Sequence, residues 1–142
     1  MPMKHLSGSI IFVTVVLLCL FSLGCESEMK DPKGTLEKQA KQYWTERLIN
    51  RNFEITYKEE DTENLPTFST YREQLRNVTP FPTSSVEVKE VKVDGDLATV
   101  KLLVDCLVPG APKGLLMPLG DHWILKGNKW KHKRQLKNPE KK

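Results

Sequence analysis

The chain has 142 residues, a formal charge of +4, 28% charged and 39% hydrophobic residues, and three cysteines. Once an N-terminal export signal is set aside, that is enough for one domain with one hydrophobic core, and too few cysteines for a disulfide scaffold. The charge is uneven: from Lys126 onward there are eight Lys or Arg against one Glu, while residues 25–125 carry a small acidic excess.

Lys4 opens the chain with a positive charge, and Ile10 to Phe21 (IIFVTVVLLCLF) is an uncharged apolar run. Its length suits the core of a secretory signal, ~7–15 residues, and falls short of the ~18 apolar residues of a spanning helix. Residues 1–24 are therefore expected to be a signal peptide, with an uncleaved N-terminal anchor as the alternative. The run ends in Ser22-Leu23-Gly24-Cys25, which resembles the lipobox of bacterial lipoproteins, where a small residue precedes the lipidated cysteine. Ser22 and Leu23 depart from that pattern. The resemblance implies lipidation of Cys25 and an address in the bacterial cell envelope. Glu26 after the cysteine leans toward the outer membrane, facing the periplasm. With Cys19 removed and Cys25 acylated, Cys106 has no partner and is expected to be a buried thiol. A Cys25–Cys106 disulfide is the competing reading.

Residues 25–34 read as a polar tether. From Thr35, a candidate cap, Leu36, Ala40, Tyr43, Trp44, Arg47 and Leu48 recur at spacings of three and four, predicting an amphipathic helix that Asn52 ends. Phe53 and Tyr57 suit a short second helix. KEEDTENLP reads as a polar loop, and Phe68, Tyr71, Arg72 and Leu75 predict a third helix that fades near Asn77.

Beyond Pro82 the period becomes two. Val86 and Val88 fall out of step with Val91 and Val93, which predicts a bulge near Lys89 or Glu90. Asp94-Gly95-Asp96 is a turn, and Ala98, Val100, Leu102, Val104 and Cys106 share the inner face of a long strand. Asp105 falls on the outer face. A third strand is expected over about Leu115–Leu125, with Pro118 and Gly120 marking an edge or bulge. Gly127-Asn128 is a two-residue turn that sets Leu125 opposite Trp130, Trp123 opposite His132 and Asp121 opposite Arg134. The Trp pair then faces inward and the lysines outward.

The fold class that follows is α+β, three N-terminal helices with an antiparallel sheet of about four strands. The Tyr43-Trp44 helix, the Asn52-Phe53 junction, Tyr57, the segment VDGDLATV at 93–100 and the ending DHW…GNKW at 121–130 resemble the nuclear-transport-factor-2-like superfamily. The resemblance covers about residues 35–136, followed by a basic tail, 137–142. It implies that the helices pack in a strongly curved sheet, a cone-shaped barrel around the first helix, and it implies a fold shared by isomerases, dehydratases, binding proteins and lipoproteins. Homodimerisation through the sheet is a common mode in that superfamily.

Function must come from the site. Asp121 and His132, with Tyr43 and Tyr57 as further donors from the helices, are the candidate proton-transfer groups. The structural alternative, an ion pair of Asp121 with Arg134 and a His132 capping the Trp cluster, weighs more. Tyr43, Trp44, Trp123 and Trp130 are expected to line a cavity or fill the core. Lys129, Lys131 and Lys133 form a basic strand face suited to an acidic partner or an anionic membrane, or simply to a protected edge. No metal or cofactor is expected: His122 and His132 point to opposite faces, and no phosphate loop is present. Asn77-Val78-Thr79 matches a glycosylation pattern and is read as chance. Nucleic acid is not an expected partner, because no aromatic interleaves with the basic residues. The expectation is a lipid-anchored binding or assembly module with an unnamed protein or small-molecule partner. The alternatives are a small cavity enzyme and a membrane-contacting basic strand.

Overall fold

The computed structural model describes residues 29–76 and 81–135. The apolar run, Cys25, Asn77, residue 136 and the basic tail 137–142 lie outside the described residues. The element order is three helices, α1 (Pro32–Thr45), α2 (Phe53–Glu59) and α3 (Phe68–Arg76), then four strands, β1 (Thr83–Asp94), β2 (Leu97–Cys106), β3 (Leu115–Lys126) and β4 (Lys129–His132).

The first helix starts earlier than its apolar stripe suggests. Asp31 is the N-cap, its carboxylate accepting from the Gly34 amide at 2.9 Å, and Pro32 takes the first helical position. Proline suits that place because its missing N–H would be unpaired there anyway. Leu36, Ala40, Tyr43 and Trp44 are buried along the expected stripe. The helix then widens into a π-helical turn, Glu46–Asn50, closed by the Asn52 amide on the Glu46 carbonyl at 2.8 Å. Arg51, not Asn52, takes the left-handed conformation (φ 56°), and Asn52 instead caps α2 through the Ile55 amide. Asn at that junction both tolerates a bend and accepts a backbone N–H, and here the second property decides.

The four strands form one antiparallel sheet in the order β1-β2-β3-β4. Register slips between Val88 and Glu90, as the broken alternation predicts, and again between Thr83 and Ser85. Asp94 pairs with Leu97 across a two-residue turn, and Gly95 has φ 57°, so Val93 stands opposite Ala98. Pro118 and Gly120 pair continuously with β2, without a bulge. They lie where β3 has no partner on its other side, since β4 pairs only with Trp123–Lys126. Proline is tolerated at such an edge because no ladder N–H is lost. In the last hairpin Gly127 and Asn128 both have positive φ, 52° and 58°, as a tight primed turn requires.

The inner face of the sheet wraps α1. Val86, Val91, Ala98, Val100, Leu102, Val104 and Cys106 pack against Leu36, Ala40, Tyr43 and Trp44 in one core, closed by Trp123 and Trp130. The indole N–H of Trp130 donates to the Pro32 carbonyl at 3.0 Å, tying the last strand to the start of α1. Burying ~200 Å² of each indole contributes about 5 kcal/mol before entropy is counted. Phe53, Tyr71 and Leu75 form a second cluster under Tyr57, Leu65 and Phe68, seating α2 and α3.

Candidate functional site

Three helices and two strands deliver polar groups to one end of the core. α1 supplies Tyr43, Trp44 and, one turn on in the π-helical segment, Arg47. The end of α2 supplies Glu60, and α3 supplies Tyr71. The sheet supplies Asp121, Trp123 and His132. Register places the last three together: Trp123 stands opposite His132, and Asp121 shares their face two residues away.

At the centre lies the His132 ring, 5% exposed. Nδ1 is 2.6 Å from Glu60 Oε2, and Nε2 is 2.7 Å from Asp121 Oδ1. Both ring nitrogens face carboxylates, so with both carboxyls ionised both nitrogens donate and the ring is an imidazolium. Burial works against that charge, but the bonds to Asp121 and then Glu60 outweigh it and raise the His132 pKa above the usual imidazole value.

Both carboxylates are densely partnered. Asp121 Oδ2 accepts the indole N–H groups of Trp44 (2.6 Å) and Trp123 (2.7 Å), and Oδ1 also accepts the His122 amide at 3.0 Å. Glu60 Oε1 accepts the hydroxyls of Tyr43 (2.6 Å) and Tyr71 (2.8 Å). Burial opposes the Glu60 charge, yet the donors, His132 first, hold its carboxyl below the usual range. Tyr43 is pushed well above the usual phenol value, chiefly by burial, and Tyr71 up to about 12 for the same reason. Arg47 Nη1 donates to the Tyr43 hydroxyl at 2.7 Å and lies 4.0 Å from Glu60 Oε1. The set holds two anions and two cations, so its formal charge is zero.

Asp121 and His132 thus meet as the sequence suggests, but not with the expected neighbours. Arg134 donates to Gln74 Oε1 at 2.8 Å and lies over the Tyr71 ring, leaving Asp121 to His132 and the indoles. Tyr57 stays outside, its hydroxyl donating to the Pro66 carbonyl at 2.8 Å. Tyr43, Trp44, Trp123 and Trp130 are all buried as core. Glu60 sits inside a stretch that reads as polar loop. The signal available for it is the spacing Phe53, Thr56, Glu60, which continues the buried face of α2 by one turn.

The basic face is partly occupied. Lys129 and Lys131 project outward from β4, with Lys133 just beyond it. The Lys131 ammonium donates to the Lys58 carbonyl at 2.7 Å, and Lys126 pairs with Asp61. Cys106 is a buried free thiol, 2% exposed, and the Asp105 Oδ1 is buried without a hydrogen-bond partner. No helix among the described residues is long and apolar enough to cross a membrane.

A cavity of about 440 Å³ opens beside the cluster, between the helices and the free-edged half of β3. Leu48, Phe53 and Leu75 form its helical wall. Val104, Cys106, Met117, Pro118 and Leu119 form its sheet wall, with Thr83 at the start of β1. Trp44 and Arg47 belong both to this cavity and to the cluster, and the guanidinium stacks over the indole at 4.8 Å. Neither Asp121 nor His132 lines the cavity, so this stacked pair is the wall between them. A larger depression, about 610 Å³, runs over the outer sheet face by Lys92, Asp94, Thr99, His122 and Lys133. It is a solvent-open groove with charged sides, and the core elements do not enclose it.

No protein-family model matches the sequence, and no curated protein does. Among solved structures, the chain is similar to a proposed nuclear-transport-factor-2-like transpeptidase from Campylobacter jejuni. The identity is 11% with a TM-score of 0.51, over 70% of this chain and 97% of that one. A de novo designed protein of the same fold aligns at 16% identity with a TM-score of 0.43, over 80% of this chain and 91% of the design. The chain has the nuclear-transport-factor-2-like fold, an α+β cone of three helices and a four-stranded antiparallel sheet.

Proposed function

We propose that this chain is a lipid-anchored cell-envelope protein whose cone cavity binds a small, mostly apolar ligand. The observation that carries the reading is the division of the cone's interior. The carboxylates of Glu60 and Asp121 and the imidazole of His132 are buried and fully engaged. The cavity beside them is apolar and of the size that commonly receives small molecules, ~300–1,000 Å³. An acid or base must reach its substrate within hydrogen-bond distance. Asp121 and His132 have Trp44 and Arg47 in between, which favours binding over catalysis.

The neutral fluorescent probe N-phenylnaphthylamine tests the cavity. It should bind saturably to the domain and fail to bind Leu119→Trp, in which an indole fills the space. Equal binding to both proteins would place the probe elsewhere and remove the reading. The anchor rests on the lipobox-like segment at 22–25. A Cys25→Ser variant should leave the membrane fraction for the soluble one, and continued membrane retention would point to the apolar run as the anchor.

A further inference from the structure

The polar inventory of the cavity narrows what it can hold. Of its lining side chains, four carry nitrogen or oxygen: Trp44, whose indole N–H is already given to Asp121, Arg47, Thr83 and Gln135, the last exposed. Arg47 is 16% exposed, and among the described residues Nη1 is the guanidinium nitrogen with a hydrogen-bond partner. A guanidinium has five N–H donors and no acceptor. Its unused donors therefore favour an oxygen acceptor on an incoming molecule and disfavour another donor. Thr83 is 8% exposed, and its hydroxyl is buried with no partner. A buried hydroxyl left unpaired costs ~1–3 kcal/mol. Rotation about its Cα–Cβ bond exchanges the hydroxyl with the methyl and breaks no hydrogen bond, so it is free to meet a ligand.

Charge narrows the choice again. The positive charge of Arg47 already faces Glu60, and His132 is shared between Glu60 and Asp121, so cations and anions balance. A carboxylate entering the cavity would add an uncompensated buried anion, and an ammonium an uncompensated cation, each at a desolvation cost. An uncharged oxygen incurs neither.

Resting on the cavity reading above, we propose that the ligand is an uncharged, mostly apolar molecule carrying carbonyl oxygen, as a ketone, ester or amide does. Arg47 is its principal donor and Thr83 its second contact. The apolar body lies along Leu48, Phe53, Val104 and Leu119.

Displacement of N-phenylnaphthylamine by decane, decan-2-one, decanoate and decylamine tests this on the unaltered protein. The ketone should bind about fivefold or more tighter than decane, the equivalent of one ordinary hydrogen bond, and tighter than either ion. Thr83→Val, which keeps the shape and leaves the buried cluster alone, should weaken the ketone several-fold and leave decane unchanged. Decanoate equal to or better than the ketone would overturn the neutral-ligand assignment. An unchanged ketone affinity in Thr83→Val would overturn the role of Thr83. No preference among bound probes would overturn the head-group argument while leaving the cavity reading intact. No binding of any probe would overturn both.

Discussion

The two ends of the cone's interior are built from opposite materials. At one end Glu60, His132 and Asp121 meet Tyr43, Tyr71 and two indole N–H groups, and every carboxylate oxygen is occupied. At the other, aliphatic and aromatic side chains surround open space, and Met117 is exposed at the rim. The densest chemistry is thus where a ligand has no room, and the room is where chemistry is sparse. Titratable side chains gathered in a fold of this kind need not mark a catalytic centre, because a saturated network can serve to fix strands and helices in one arrangement. Here the network joins α1, α2, α3, β3 and β4.

Breaking the closed end should produce the largest effects. His132→Leu removes the cation that two buried carboxylates share, at a cost of about 3–5 kcal/mol, enough to unfold a marginal domain. Denaturant titration measures it. The same group sets a pH dependence. His132 has a raised pKa when folded, so its contribution is fully present below the ordinary imidazole value and is lost as pH rises through the folded value. Glu60 has a lowered pKa, so its contribution is present above the ordinary carboxyl range and is lost as pH falls through its folded value. Stability should therefore form a dome, and His132→Leu should abolish the loss on its alkaline side. Thermal melts across pH read this directly.

Tyr71→Phe is a gentler break. It deletes one of two hydroxyl donors to Glu60 Oε1 and should cost about 1–2 kcal/mol, with the fold retained. Changes at the open end should move binding more than stability: Leu119→Trp should keep the melting temperature within a few degrees while abolishing probe uptake. Lys126→Ala should do least. Its ammonium pairs with Asp61 but is 44% exposed, so about 0.5 kcal/mol is expected, shrinking in high salt.

How much of this could be read beforehand follows from the range of each interaction. The apolar stripe of α1, the bulge near Lys89 and the Trp123–His132 register are local patterns, and the structure has them. Asp121 and His132 came together because strand parity alone puts them on one face. Glu60 was hidden because a charged residue in KEEDTENLP looks solvated, and what buries it is a ring and two phenols 72, 17 and 11 residues away. The pairing of Asp121 failed for a related reason. Opposition along a hairpin named Arg134, but β4 ends at His132, and Arg134 turns to Gln74 and Tyr71. The cavity has no sequence signature, since it is the space left where β3 runs past β4.

The division of labour between the two ends is tested most directly by measuring N-phenylnaphthylamine affinity and melting temperature together in Tyr71→Phe and Leu119→Trp. Tyr71→Phe should melt several degrees lower and bind the probe as the unaltered protein does, whereas Leu119→Trp should melt nearly as before and not bind. The reverse pattern, with binding lost in Tyr71→Phe and kept in Leu119→Trp, would mean that the acid–imidazole cluster is itself the binding site.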